Sequence, residues 1–256
     1  MTGERAEDRR VLRVTGADRQ SFLQGLVTND LRKLDRGPVY AAILTPQGKY
    51  LADFLMLAAP DAILIDVKDD LADALLRRLQ MYRLRADVQI APTELRVTRG
   101  LGTPPEGAVH DPRHAALGWR LYGAGEGAAP EIDWDGIRVA NCIPETGVEL
   151  VPEQTFILEA GFERLNGVDH RKGCYVGQEV TARMKHKTEL RKGLATVAVS
   201  GPAGPGAEIT ADGRAVGTLH TRSGDRAIAY LRFDRATGPM QAGDATVRWA
   251  DAETLA

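Results

Sequence analysis

Cysteine is almost missing: Cys142 and Cys174 are the only two in 256 residues. Two thiols do not make a disulfide framework, which fits a reducing compartment, read here as the cytoplasm. No CxxC pair exists, so a closed structural zinc site is not expected. Residues 1–10 are highly charged and carry no apolar segment, so no secretory signal is read. No apolar run approaches the roughly 20 residues that a membrane span needs. The formal net charge of −2 gives no global attraction to nucleic acid or to an anionic membrane. What remains is a soluble chain with 43% hydrophobic residues, enough for real cores in two or three domains. Its 27% charged residues lie near the globular average, which argues against wholesale disorder.

Val11–Val14 reads as a strand, and Asp18 suits a helix N-cap ahead of Phe22, Leu23 and Leu26. Tyr40–Leu44 and Tyr50–Leu57 flank Thr45-Pro-Gln-Gly48, a turn with hairpin residue types. A strand over Ala62–Val67 leads into a helix capped by Asp69 or Asp70, with Leu71, Leu75, Leu79 and Tyr82 on one face. Strands follow near Asp87–Ile90, Leu95–Arg99 and Leu117–Tyr122, with residues 100–115 as a linker or surface loop. Helices are predicted over Asp133–Asn141 and Gln154–Leu165. After Gly193, short β-like runs divided by Gly, Pro and Asp have the spacing of a small all-β barrel or sandwich.

The most informative stretch is residues 172–179, Lys-Gly-Cys-Tyr-Val-Gly-Gln-Glu. Cys174 lies between two glycines, two residues after Lys172 and just ahead of a helical pattern. A nearby ammonium and a helix N-terminus both favour thiolate over thiol. Gly173 and Gly177 free the backbone for close approach to a ligand or for a tight turn. A buried structural cysteine beside a helix cap is the alternative. His170 and a Cys–His nucleophile pair fit poorly across a glycine-containing turn. His110 and His114 read as exposed loop residues.

The segment His170–Lys192 holds seven Lys or Arg against Glu179 and Glu189, in a chain that is slightly acidic overall. Either it is a solvated helix face, or it forms a basic wall around an anionic ligand. Its one aromatic, Tyr175, is a thin platform for single-stranded nucleic acid.

The octapeptide and Val180–Leu194 resemble the signature of the YgfZ family, folate-binding proteins that maintain or mature iron–sulfur enzymes. That family is a branch of the superfamily of the glycine cleavage T-protein, an aminomethyltransferase. Val11–Asp30, Thr45–Phe54, Gly213–His220 and Ala227–Arg232 resemble further parts of that superfamily. The resemblance implies an α+β fold in three parts with mainly antiparallel sheets, a folate-sized central channel and a C-terminal β-barrel. The expected parts are an N-terminal domain over 1–110, a middle segment over 111–192 carrying the motif, and the barrel over 193–256. It also implies tetrahydrofolate as ligand, a transient iron–sulfur cluster on Cys174, and iron–sulfur proteins or assembly factors as partners.

Cys174 is then the reactive or ligating group. Lys172, Gly173, Tyr175, Gly177, Gln178, Glu179, Arg183, Asn29 and Asp53 are the residues expected to hold folate or other anionic charge. Two departures bear on chemistry. The T-protein hairpin usually carries two adjacent acids, the first of which falls here on Ala52, leaving Asp53. The glutamate of its Arg-x-Glu-Ala-Gly run, aligned on Arg138, falls on Ala140. Methyl groups cannot hydrogen-bond a pterin or manage charge on a one-carbon unit. Glycine cleavage is therefore not expected. A folate-dependent one-carbon transferase relying on Asp53, and a ligand-free interaction module, are the alternatives.

Overall fold

Residues 3–186 and 190–249 are described by the computed structural model. The chain divides into two compact units, Met1–Ile132 with Phe162–Val180, and Asp133–Gly161 with Thr181–Ala256. The middle segment set out from the sequence is shared between them.

The first unit contains β1 (Glu4–Arg5), β2 (Arg9–Thr15), β3 (Val39–Leu44), β4 (Tyr50–Ala59), β5 (Ala62–Lys68) and β6 (Gln89–Pro92). It continues with β7 (Arg96–Gly100), β8 (Val109–His110) and β9 (Trp119–Gly123). These make a five-stranded sheet, β3-β4-β5-β2-β6, and a four-stranded sheet, β1-β7-β9-β8. All their pairings are antiparallel. Helices α1 (Arg19–Gln24) and α2 (Asp69–Arg83) supply Leu23, Ala72, Leu75 and Leu79 to the core that covers the larger sheet. Facing them are Leu12, Val14, Phe54, Met56, Ile65 and Val67, each fully or almost fully buried and contributing about 1.5–3 kcal/mol. A buried ion network ties the two sheets of this unit. Asp66 accepts from Arg9 at 2.6 Å, Arg120 at 3.0 Å and Tyr122 at 2.8 Å. Arg120 also donates to Asp111 at 3.0 Å.

Three local expectations change. Asp18 precedes α1 but accepts from the Asp87 amide at 2.9 Å instead of capping its own helix. Tyr82 leaves the apolar face of α2, where Ala72 takes its place, and is 38% exposed. Residues 100–115 are not simply a surface loop: they hold β8, and Asp111 is buried against Arg113 and Arg120.

In the second unit, α3 (Trp134–Ala140) packs on barrel strands. The chain re-enters this unit through α4 (Gln178–His186), which spans the boundary. Then come β10 (Lys192–Ser200), β11 (Glu208–Ala211), β12 (Arg214–Ser223), β13 (Arg226–Arg232), β14 (Met240–Ala242) and β15 (Ala245–Arg248). They close a six-stranded barrel in the order β10-β13-β12-β11-β14-β15. Ala195, Val197 and Val199 alternate into its core with Leu219, Leu231 and Val247. The short strand β14 was not anticipated. The helix predicted over Gln154–Leu165 is instead a succession of turns. Gly161, at φ +77°, cannot continue a right-handed helix, and closures such as Gly161 N–H to Leu158 O (3.1 Å) stay local.

Candidate functional site

The motif segment is fastened at two points within the first unit. Lys172 is buried, and its ammonium donates to the carbonyls of Gln24 (2.6 Å) and Val27. Gln24 ends α1, so this cation meets a carbonyl that the helix end leaves over. The same ammonium lies 5.0 Å from the centre of the Tyr175 ring, itself buried. Burial brings the Lys172 pKa down to about 8, against the opposing pull of Asp30 and Asp169. The second fastening is backbone on backbone. Gly177 (φ +83°) lies so close to the β3–β4 turn that a Cβ there would stand 2.5 Å from Thr45 O. Gly48 in that turn (φ +75°) faces Val180, where its own Cβ would come within 2.8 Å.

Between these fastenings Cys174 is exposed. Gly173 is exposed too, with open space where a side chain would stand. Gly173 also lines an open cleft of about 560 Å³ with Gln20, Ser21, Gln24 and Arg32. Arg32 pairs with Asp30 at 2.6 Å, and this contact lowers the Asp30 pKa to about 2.

Several of the expected ligand-holding residues spend their polar contacts within the first unit. The Lys172 ammonium, expected beside Cys174, is committed to backbone carbonyls in the interior. Gly177 serves close packing against the hairpin turn. Asn29 donates its amide to Tyr40 O (2.8 Å) and Asn166 O (2.6 Å), and its oxygen accepts from Asp30 N–H and Lys33. Asp53 is buried and accepts from the hydroxyls of Tyr40 (2.9 Å) and Tyr50 (2.7 Å). Burial and Asp53 together hold the Tyr40 phenol protonated far above its usual range. Ala52 is buried in β4, and Ala140 is exposed at the end of α3. Gln178 opens α4, its amide bonded to Tyr175 O at 3.2 Å, while Glu179 and Arg183 are exposed on that helix.

The basic wall loses members as well. Lys172 faces inward, and Lys192 stands 3.8 Å from Glu159 in the second unit. Lys187 and Glu189 lie outside the described residues. His170 pairs with Glu163 at 2.9 Å instead of the thiol.

One constellation in the second unit carried no sequence signal. Arg138 is buried and donates to Glu149 (3.2 Å), Asp135 (2.8 Å) and Thr221 (3.2 Å). Glu149 also accepts from the Glu145 amide and from both the amide and hydroxyl of Thr221. Asp135 and Arg138 are spaced as neighbours on a helix, but nothing in the spacing marks Glu149 or Thr221 as their partners.

Fold and site together define a T-protein-like architecture carrying a presented thiol. The crystal structure of the glycine cleavage system aminomethyltransferase T from Bartonella henselae superposes with a TM-score of 0.73. It covers 96% of this chain and 85% of that one at 12% identity, a likeness of fold alone. Residues 191–255 match the family model of the CAF17 C-terminal beta-barrel domain. The mitochondrial iron–sulfur cluster assembly factor IBA57 of Mus musculus is 32% identical over 92% of this chain and 79% of its own length. The Homo sapiens protein is 31% identical with the same coverage. The chain belongs to the IBA57 family of iron–sulfur cluster assembly factors. The resemblance to YgfZ thus holds at the level of assembly factors built on the T-protein fold.

The cytoplasmic location expected from composition is overturned by these relatives, whose names place them in mitochondria. Few cysteines and the lack of long apolar runs describe any reducing compartment, so composition could not separate the two.

Proposed function

We propose that this chain acts in iron–sulfur cluster assembly or repair, with Cys174 as its reactive or ligating group and tetrahydrofolate as an associated ligand. The observation that carries the reading is an exposed thiol on a segment pinned on one side by the Lys172 ammonium and on the other by Gly177. A ligand donated to a shared cluster must reach outward while its backbone stays fixed, and this segment does both. Among the described residues no group of three or more His, Cys, Asp or Glu could hold a metal ion. A cluster touching Cys174 therefore draws its other ligands from a partner, and iron–sulfur proteins or assembly factors are the partners proposed.

The folate component rests on the resemblance. Asn29, Asp53 and Lys172 spend polar contacts inside the first unit, so no chemical step is assigned to a folate. The one-carbon transferase reading loses its acid in the same way, since Asp53 is closed in by two tyrosine hydroxyls.

The test is Cys174→Ser. The side chain is exposed, so folding stability should stay within about 0.5 kcal/mol of the parent. Cells carrying the variant at normal level should show reduced activity of iron–sulfur enzymes. Full activity with serine would make the thiol dispensable, and loss matched by a lower melting temperature would make it structural. Calorimetry with tetrahydrofolate reads the folate component separately, and no heat at millimolar ligand removes it.

A further inference from the structure

Strand β12 pairs regularly with β13 as far as Leu219 opposite Ala229, and pairing resumes at Arg222 opposite Ala227. His220 and Thr221 together thus face one residue, Ile228, which is a β-bulge, a device that re-aims side chains. Thr221 is turned onto Glu149 through its amide (3.1 Å) and hydroxyl (2.5 Å). His220 is turned into the lining of a cleft of about 240 Å³, shared with Val151, Thr155, Glu159, Leu194 and Tyr230.

The hydrogen-bonding capacity left over in this cleft is lopsided. Glu149 also borders it, but Arg138, Thr221 and the Glu145 amide occupy its carboxylate. Glu159 is different. One of its oxygens accepts from the Tyr230 hydroxyl at 2.7 Å. The other, among the described residues, is ion-paired with Lys192 at 3.8 Å but receives no hydrogen bond, in a side chain that is 10% exposed. Tyr230 keeps lone pairs on its oxygen. His220 makes no hydrogen bond to any described residue, and burial keeps its imidazole neutral, with one nitrogen free to accept. Gln154 also lines the cleft and has contacts of its own; among the other lining groups acceptors outnumber donors, above apolar walls from Val151, Ala160 and Leu194.

We infer that this cleft is a binding site for a small molecule with a protonated amine head on a short apolar body. An ammonium group would give that Glu159 oxygen the hydrogen bond that Lys192 does not, and would reach His220 or Tyr230. An anion would meet acceptors at Glu159, Tyr230 and His220, with Arg138 already spent on Glu149. The volume lies below the roughly 300 Å³ at which drug-sized sites begin, so the ligand is a compact one. This site goes beyond the cluster-assembly reading and uses none of the motif residues.

The experiment is an NMR titration of the full isotope-labelled chain with propylammonium, and with propionate as the oppositely charged probe of equal size. The His220 ring and Tyr230 amide signals should shift saturably with propylammonium and not with propionate. Glu159→Gln should raise the apparent Kd about tenfold or more, as expected when a charge-assisted hydrogen bond is lost. Tyr230→Phe should raise it less. If Glu159→Gln fails to fold, the contrast between the two probes on the parent protein still decides. No saturable shift up to about 0.1 M, a weak limit for so small a ligand, overturns the site. So does equal response to propionate, or unchanged affinity in a folded Glu159→Gln.

Discussion

The motif segment and the bulged strand β12 both aim a side chain by bending the backbone, yet in opposite directions. Around Cys174, a buried cation and a glycine wedge hold the chain still so that the thiol points into water. On β12, one extra residue in the ladder turns His220 inward and lets Thr221 clamp Glu149. The first arrangement draws on unusual residue types, whereas the second draws on pairing register among ordinary ones. A molecule can therefore advertise one site in its sequence and conceal another of comparable construction.

The comparison predicts that the concealed region is the more fragile. Glu149→Ala leaves the buried Arg138 guanidinium with the largely exposed Asp135 as its carboxylate partner among the described residues, and should cost about 3–5 kcal/mol. Urea unfolding measures it, and a loss under about 1 kcal/mol, the scale of an exposed pair, breaks the comparison.

Gly177→Ala comes next, at about 2–3 kcal/mol, because it adds a Cβ at φ +83° against the Thr45 carbonyl. Gly173→Ala, four positions earlier in open space, should stay within about 0.5 kcal/mol. Equal losses at the two glycines would show that the wedge against the hairpin turn is not what fixes the segment.

A further effect is a pH dependence. The folded Lys172 pKa is about 8, below the usual 10.5. Between those values the unfolded chain holds a proton that the folded chain has released, so stability rises with pH across the window. Below pH 8 both states are charged and burial weighs fully against the fold. Relative to Lys172→Met, the parent protein should therefore gain stability from pH 8 to 10.5. Parallel unfolding curves for the two proteins would place the ammonium in solvent rather than against Gln24 and Val27.

Much of the architecture was legible because apolar-rich runs mark the strands of the first unit and alternation marks β10. Tyr40–Leu44, Tyr50–Leu57 and the runs after Gly193 announced their pairing, and Thr45-Pro-Gln-Gly48 announced its turn. The misreadings share a cause, which is that a pattern can serve two conformations. Gln154–Leu165 spaces its apolar residues as a helix would, but consecutive turns bury Ile157, Leu158 and Leu165 as well. Lys172 reads as surface charge, since nothing local reveals that two carbonyls some 145 residues earlier in the chain await it. Asp53 reads as a lone acid, and only the fold shows the two tyrosine hydroxyls closing over it.

The division of the chain has a consequence for its synthesis. Residues 162–180 belong to the first unit, although the ribosome makes 133–161, part of the second, before them. Thr28 donates to Gly167 O across 139 positions, and Lys172 to Gln24 O across 148. A nascent first unit must therefore wait with its pocket for Lys172 empty, carrying an unsealed edge until Val180 has emerged. Closing so long a loop is slow work for a growing chain. The stretch bearing Cys174 is the last piece fitted, so a chain released early lacks both its thiol and its seal. Protease protection of stalled nascent chains should appear only once the stall point lies beyond Val180 by a tunnel's length.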